Sequence, residues 1–176
     1  MIKELWKFCQ RNGGLPDPRE LPFLIRGQKR INGLALPERL LQLARENRWR
    51  LPEDTTRFGL LFPAHGKDAK LYSLHDMFWE NRGWRHRTDP QFLGTQSSGQ
   101  PPGDIDPVRS LIIGDLGAGW DSPIVLDYRN SRTKPSVATL VWGPKGGPNY
   151  WKLIADDVMD FARKIGIIEP EASLAS

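Results

Sequence analysis

Three apolar runs of strand length close the chain, and the way they are joined constrains the fold more than any other feature. They are Ile124-Val125-Leu126-Asp127-Tyr128, Val137-Ala138-Thr139-Leu140-Val141-Trp142 and Tyr150-Trp151-Lys152-Leu153-Ile154. Parallel neighbours need a crossover of a dozen or more residues, usually a helix, and the turn-rich segments between these runs are too short for one. The strands are therefore expected to be antiparallel neighbours. Within the first, Ile124, Leu126 and Tyr128 share one face and leave Val125 and Asp127 on the other, because side chains alternate along a strand.

Three earlier runs have the same look: Phe58-Gly59-Leu60-Leu61-Phe62, Lys70-Leu71-Tyr72-Ser73-Leu74 and Leu111-Ile112-Ile113, each bounded by Gly, Pro or charge. Around them the period changes to helical. Ile2, Leu5, Trp6 and Cys9 fall on one helical face before Gly13-Gly14, predicting a helix over 2–11. Pro37 opens a second helix whose Leu40, Leu41, Leu43 and Ala44 form an apolar face, ending before Pro52. The last helix has Asp156 or Asp157 as its cap, a stripe of Val158, Phe161, Ala162 and Ile165, basic Arg163 and Lys164 in its final turn, and Gly166 as its stop. Residues 75–80 read as a short helix or turn, 94–107 as a mobile internal loop rich in Gln, Ser, Gly and Pro, and 169–176 as a flexible tail. The pattern is α+β: about six antiparallel strands with N-terminal helices and one C-terminal helix. A single domain over 1–168 is expected, with 1–33 an additional N-terminal helical segment.

At 176 residues the chain buries enough surface to fold without metal or disulfides, and its one cysteine, Cys9, rules out an intramolecular disulfide. No apolar run is long enough to span a bilayer, and Met1-Ile2-Lys3-Glu4-Leu5-Trp6-Lys7 lacks the hydrophobic stretch of a secretory signal, so a cytoplasmic location is expected. Charge is uneven, with 17 basic against 11 acidic side chains in residues 1–100 and 8 against 10 in residues 101–176. The densest basic cluster is Arg82-Gly83-Trp84-Arg85-His86-Arg87. Arginines beside an aromatic suit phosphate and base stacking, but no nucleic-acid-binding signature accompanies them, and a solvated turn is the better reading.

His65, His75 and His86 have no metal-ligand spacing, so no metal or cofactor is expected. Asp115, Asp121 and Asp127 are the one carboxylate set that a metal-dependent hydrolase could use. In Asp115-Leu116-Gly117-Ala118-Gly119-Trp120-Asp121, however, Asp and Gly are also ordinary turn residues. The glycines of this segment and of Gly143-Pro144-Lys145-Gly146-Gly147-Pro148 do not lead into a helix N-terminus, as a phosphate loop should. Seven tryptophans are many for this length, and most are expected in the core; Trp120 in a turn and Trp142 at a strand end are the candidates for exposed contact anchors.

The segment Ile112-Ile113-Gly114-Asp115-Leu116-Gly117-Ala118-Gly119-Trp120-Asp121-Ser122-Pro123-Ile124-Val125-Leu126-Asp127-Tyr128 resembles the glycine-rich turn and Leu-Asp strand of the SUKH superfamily. Residues 137–142 are similar to that family's next strand, Trp151-Lys152-Leu153-Ile154-Ala155-Asp156-Asp157-Val158-Met159-Asp160-Phe161 to its terminal strand-to-helix step, and Leu36-Pro37-Glu38-Arg39-Leu40-Leu41 to its early helix. The resemblance covers 108–166 well and little before 60. It implies a curved antiparallel sheet with packed helices, and a non-enzymatic module that binds protein. Members include bacterial immunity proteins, which bind and occlude a toxin domain, often a nuclease, and cell-wall assembly regulators. The contact face is then expected at Asp115, Trp120, Asp121, Asp127 and Tyr128, with Trp84 in the basic cluster as the next candidate; a membrane or nucleic acid is not the expected partner. Nothing in the sequence sets an oligomeric state.

Overall fold

The computed structural model describes residues 27, 29–93, 104–117, 122–143 and 149–169. The predicted helix over 2–11 with Cys9, the greater part of the 94–107 loop, Trp120, Asp121 and the tail beyond Glu169 lie outside the described residues.

The fold is α+β, as the sequence pattern requires. Its main sheet has five antiparallel strands in the order β3-β4-β5-β6-β7: Lys70–Leu71, Ser110–Asp115, Pro123–Asp127, Ser136–Val141 and Tyr150–Ala155. Every neighbour in the sheet is also the neighbour in sequence, so the last four strands form a meander, its final three antiparallel as expected. The sixth expected strand is not in this sheet. Instead a separate hairpin, β1 (Arg30–Ile31) and β2 (Leu34–Ala35), turns at Asn32 and Gly33, whose φ angles are 51° and 83°. Two successive positive φ values are what a two-residue hairpin turn requires, and Asn-Gly is the pair that supplies them at least cost. The expectation of a helical segment up to residue 33 is thus corrected at its C-terminal end.

Residues 58–62 are a further correction, because Thr56–Leu61 is a helix, α2. A strand would place Phe58, Leu60 and Phe62 on one face. In the structure Phe58 and Phe62 are buried with rings 4.8 Å apart, while Leu60 is 80% exposed. Five apolar residues fit either period; the turn at Asp54, whose carboxylate accepts the Thr56 amide, starts the chain into the helix.

The 70–74 run is half right. Lys70 and Leu71 pair with β4, but Ser73 then caps α3 (Leu74–Trp84), its Oγ accepting the Asp76 amide at 3.1 Å and donating to the Asp76 carboxylate at 2.9 Å. This reciprocal capping contact converts the intended strand into a helix start. The 75–80 helix is also longer than expected and runs through Trp84.

Where β3 gives out, its edge of β4 is completed by a side chain. Tyr72 makes the last backbone bond, to Ile113 O; the buried amide of Asn81 on α3 then accepts the Ile112 N–H and donates to the Ile112 C=O, both at 2.8 Å. A carboxamide presents the same donor and acceptor as a peptide unit, so Asn81 acts as a surrogate strand residue and leaves no buried backbone group unpaired there. The Asn81 backbone carbonyl accepts from the Asn32 side-chain amide and ties the hairpin to the same helix.

Helix α1 (Glu38–Arg45) starts at Pro37 and buries Leu40, Leu41 and Leu43. A short helix, α4 (Pro90–Leu93), places Phe92 against Trp142 and accepts the Trp151 indole N–H on the Phe92 carbonyl. Helix α5 (Val158–Lys164) is capped by Asp157, whose side chain accepts the Asp160 amide, and stops at Gly166 with φ 85°. It packs on α1, α2, β6 and β7, whereas α3 packs on β4. Strands β4 and β5 are buried along their whole length, so their two-sided apolar runs are interior strands between helical layers.

Candidate interaction surface

The residues read from sequence as a contact face are mostly interior. Asp127 lies with its carboxylate 1% exposed against Arg129, which donates to both oxygens through Nε and to Oδ2 through Nη2 at 2.7 Å. The Arg129 amide also donates to Asp127 Oδ1, so this carboxylate is held by its own turn. Asp115 is buried and accepts the Gly117 amide at 2.7 Å. Tyr128 is buried, and its hydroxyl donates to Ala35 O of the hairpin; burial pushes its phenol above its ordinary range. Trp84 is core: its ring meets Trp151 edge-on at 6.0 Å and its indole N–H donates to Ser110 Oγ. The expected docking roles of Asp115, Asp127, Tyr128 and Trp84 are therefore corrected to structural ones.

The same register separates the carboxylates. Asp115 sits opposite Pro123 and Asp127 opposite Ser110, at opposite ends of the β4–β5 pair. At about 3.3 Å per residue this puts them roughly 15 Å apart, beyond what one cation or one acid–base pair can span. Among the described residues no three His, Cys, Asp or Glu side chains converge as a metal site.

The turn that Asp115 closes is instead a close backbone contact. Gly117 has φ 93°, and a Cβ there would stand 2.5 Å from the Ala69 amide nitrogen. The Gly66 N–H donates to Leu116 O at 2.6 Å from the facing side. Glycine is required at Gly117 by its positive φ and by the close approach of Ala69, in keeping with turn chemistry at Asp115 and Gly117.

The exposed aromatic face lies on α3. Leu74, Met77, Asn81 and Trp84 form its buried stripe, and His75, Trp79 and Arg82 rise on the other side at helical spacing. Trp79 is 51% exposed yet held on two sides. Its indole N–H donates to His75 Nε2 at 2.9 Å, and the Arg82 guanidinium lies 4.9 Å from its ring centroid. Since Nε2 accepts, the His75 proton belongs on Nδ1, 3.5 Å from the Asp76 carboxylate. Phe78 meets Trp79 edge-on at 5.9 Å.

Charge is graded along this helix. On this helix Glu80 is held above the usual carboxylate range, by burial first and then by Asp76 and Asp115, against the pull of Lys70. Tyr72 is pushed up likewise, by burial and then by Asp115, Glu80 and Asp76. Arg82 in its last turn, and Arg85 and His86 just beyond its end, are exposed, while Arg87 lies over the Phe92 ring at 4.3 Å. Of the basic cluster, two arginines already cover aromatic rings and the intervening Trp84 is buried, so Trp84 has no face left for a nucleic-acid base.

Trp79 was legible only with the full length of α3. Read as a turn over 75–80, the segment hides the stripe Leu74, Met77, Asn81 and Trp84 that places Trp79 outside. Trp142, the other expected anchor, is 40% exposed at the end of β6. No helix among the described residues is long and apolar enough to cross a membrane. No family model, curated protein or solved structure matches the chain.

Proposed function

We propose that this chain is a non-enzymatic, cytoplasmic protein-binding module of the SUKH type, acting as an immunity protein that covers the active surface of a toxin domain. Its contact face in this reading is the outward side of α3, centred on Trp79, with Arg82 and Arg85 beside it. The meander from β4 to β7 followed at once by a terminal helix is the element order that the resemblance implies, and it supports the assignment.

One observation carries the choice of face: a large aromatic ring half in water, fixed before any partner arrives. Trp and Arg dominate binding energy at protein interfaces, and a side chain already locked by a hydrogen bond and a cation–π contact loses little further rotamer freedom on docking. The exposed Arg82, Arg85 and His86, in the last turn of α3 and just after it, favour an acidic partner surface, not the basic one that Asp115 and Asp127 would have suited.

The test is affinity capture with the full chain and with Trp79→Ala from the cells that produce it, followed by calorimetry on the purified partner. Trp79→Ala is expected to lose at least about 2 kcal/mol, close to thirtyfold in Kd. A captured toxin whose activity stops on binding supports immunity, whereas a cell-wall or signalling protein replaces that role with regulation. Equal affinity of the two chains removes the face. Salt-sensitive retardation of RNA or DNA, with no protein partner, replaces the reading altogether.

A further inference from the structure

Adjacent residues of a strand point to opposite faces, so Trp151, which meets Trp84 under α3, turns Lys152 to the other side of the sheet. That side holds a cavity of about 410 Å³, within the range of small-molecule sites. Its floor is the shared face of β6 and β7, where Thr139 pairs with Lys152 and Val141 with Tyr150; its wall is the end of α2 and the turn after it, residues 61–65.

The polarity of the lining is specific. Phe62, Val141 and Ile154 make it mainly apolar, and its described lining residues include no Asp or Glu. Lys152 supplies a cation with no ion pair among the described residues. His65 supplies a directed acceptor. Its Nδ1 lies 2.6 Å from Phe62 O, which can only accept, so Nδ1 carries a proton and, in the neutral ring, Nε2 is the acceptor. The Phe58 ring, edge-on to the imidazole at 5.2 Å, fixes the ring plane.

We propose that this cavity binds a small aromatic carboxylate that also carries a hydrogen-bond donor, its carboxylate on Lys152, its ring against Phe62, Val141 and Ile154, and its hydroxyl or N–H donating to His65 Nε2. Lys152 and His65 ask for opposite groups, an acceptor anion and a donor, and the apolar part of the lining asks for a flat hydrophobic body. A simple fatty acid satisfies only the first, and a sugar phosphate lacks the apolar part. The site lies on the face opposite to Trp84 and α3 and does not depend on the protein-binding reading.

The experiment is an amide and imidazole NMR titration of the full chain with three probes: 4-hydroxyphenylacetate, phenylacetate and 4-hydroxyphenylacetamide. The first is expected to bind best. Loss of its charge should weaken binding about tenfold, and loss of its hydroxyl about fivefold, as single charged and neutral hydrogen bonds do. Lys152→Ala should abolish only the charge preference and His65→Phe only the hydroxyl preference, each with the spectrum of a folded chain; should His65→Phe not fold, movement of the His65 Nε2 resonance by the hydroxylated probes alone replaces it. Equal binding of all three probes, no shift up to about 10 mM, the range of negligible affinity, or shifts clustered on α3 would each overturn the proposal.

Discussion

The β4–β5 pair and the outward side of α3 carry the same kinds of residue, and the structure uses them in opposite ways. In the first, Asp115, Asp127 and Tyr128 are buried beside their own turns, each bound to backbone or to Arg129. In the second, Trp79 and Arg82 are exposed and His75 is half-buried, with Trp79 in contact with both. The difference is position in the layers. A central strand with helices on both faces has no solvent side, so its polar residues must find partners inside, whereas a helix covering a sheet keeps one side free.

The sharpest break of that contrast is Trp84→Ala. Truncating a fully buried indole that also bonds Ser110 should cost about 3 to 5 kcal/mol, read as a drop in ΔG by urea unfolding. A loss under about 1 kcal/mol, the range of surface changes, would return Trp84 to the surface.

Asp127→Ala comes next. It leaves Arg129 without its carboxylate, and because Arg129 still reaches water the cost should be about 2 to 3 kcal/mol, below that of a fully buried pair. If Asp127 belonged to a binding face instead, the variant would keep its unfolding midpoint and lose only partner affinity.

A control outside both regions is Asp157→Ala at the α5 cap, expected to cost about 1 kcal/mol near neutral pH. Burial works against the Asp157 carboxylate, but the amides of Asp160 and Met159 and the Lys134 ammonium hold its pKa below the ordinary value. The sign follows: its contribution is complete above the unfolded-state pKa near ~3.9 and fades as pH falls through the lower folded value. The stability gap between parent and variant should narrow as pH falls through the folded value, and a gap that stays unchanged in acid would deny the cap its charge.

The smallest effect on stability belongs to Trp79→Ala, which removes one helix-surface pair and one exposed cation–π contact, worth within about 1 kcal/mol together. Thermal unfolding should barely move. A collapse of the fold would make Trp79 a structural residue and dissolve the contrast with β4–β5.

How much of this was legible depends on the range of the signal. The cap at Asp157, the stop at Gly166 and the Leu40, Leu41, Leu43 face of α1 were readable because a helix end is written in a few adjacent residues. The Asn32-Gly33 hairpin is written just as locally, in a pair of residues that favours positive φ, against the expectation of a helical segment over 1–33. The Ser73 cap was likewise present inside an apolar run that alternation claimed for a strand.

From sequence alone came the antiparallel meander of β5, β6 and β7, since short connections forbid crossovers, the terminal helix, and the turn chemistry of Asp115 and Gly117. Only the tertiary structure decided that Phe58 and Phe62 share a helix face with Leu60 turned away, that Asp115 and Asp127 stand at opposite ends of a strand pair, and that Trp84 is covered while Trp79 is not. The reason is physical. Backbone hydrogen bonding and φ preference act between near neighbours, so the sequence records them directly; burial is set by which layer closes over which face, and that depends on residues far apart in the chain.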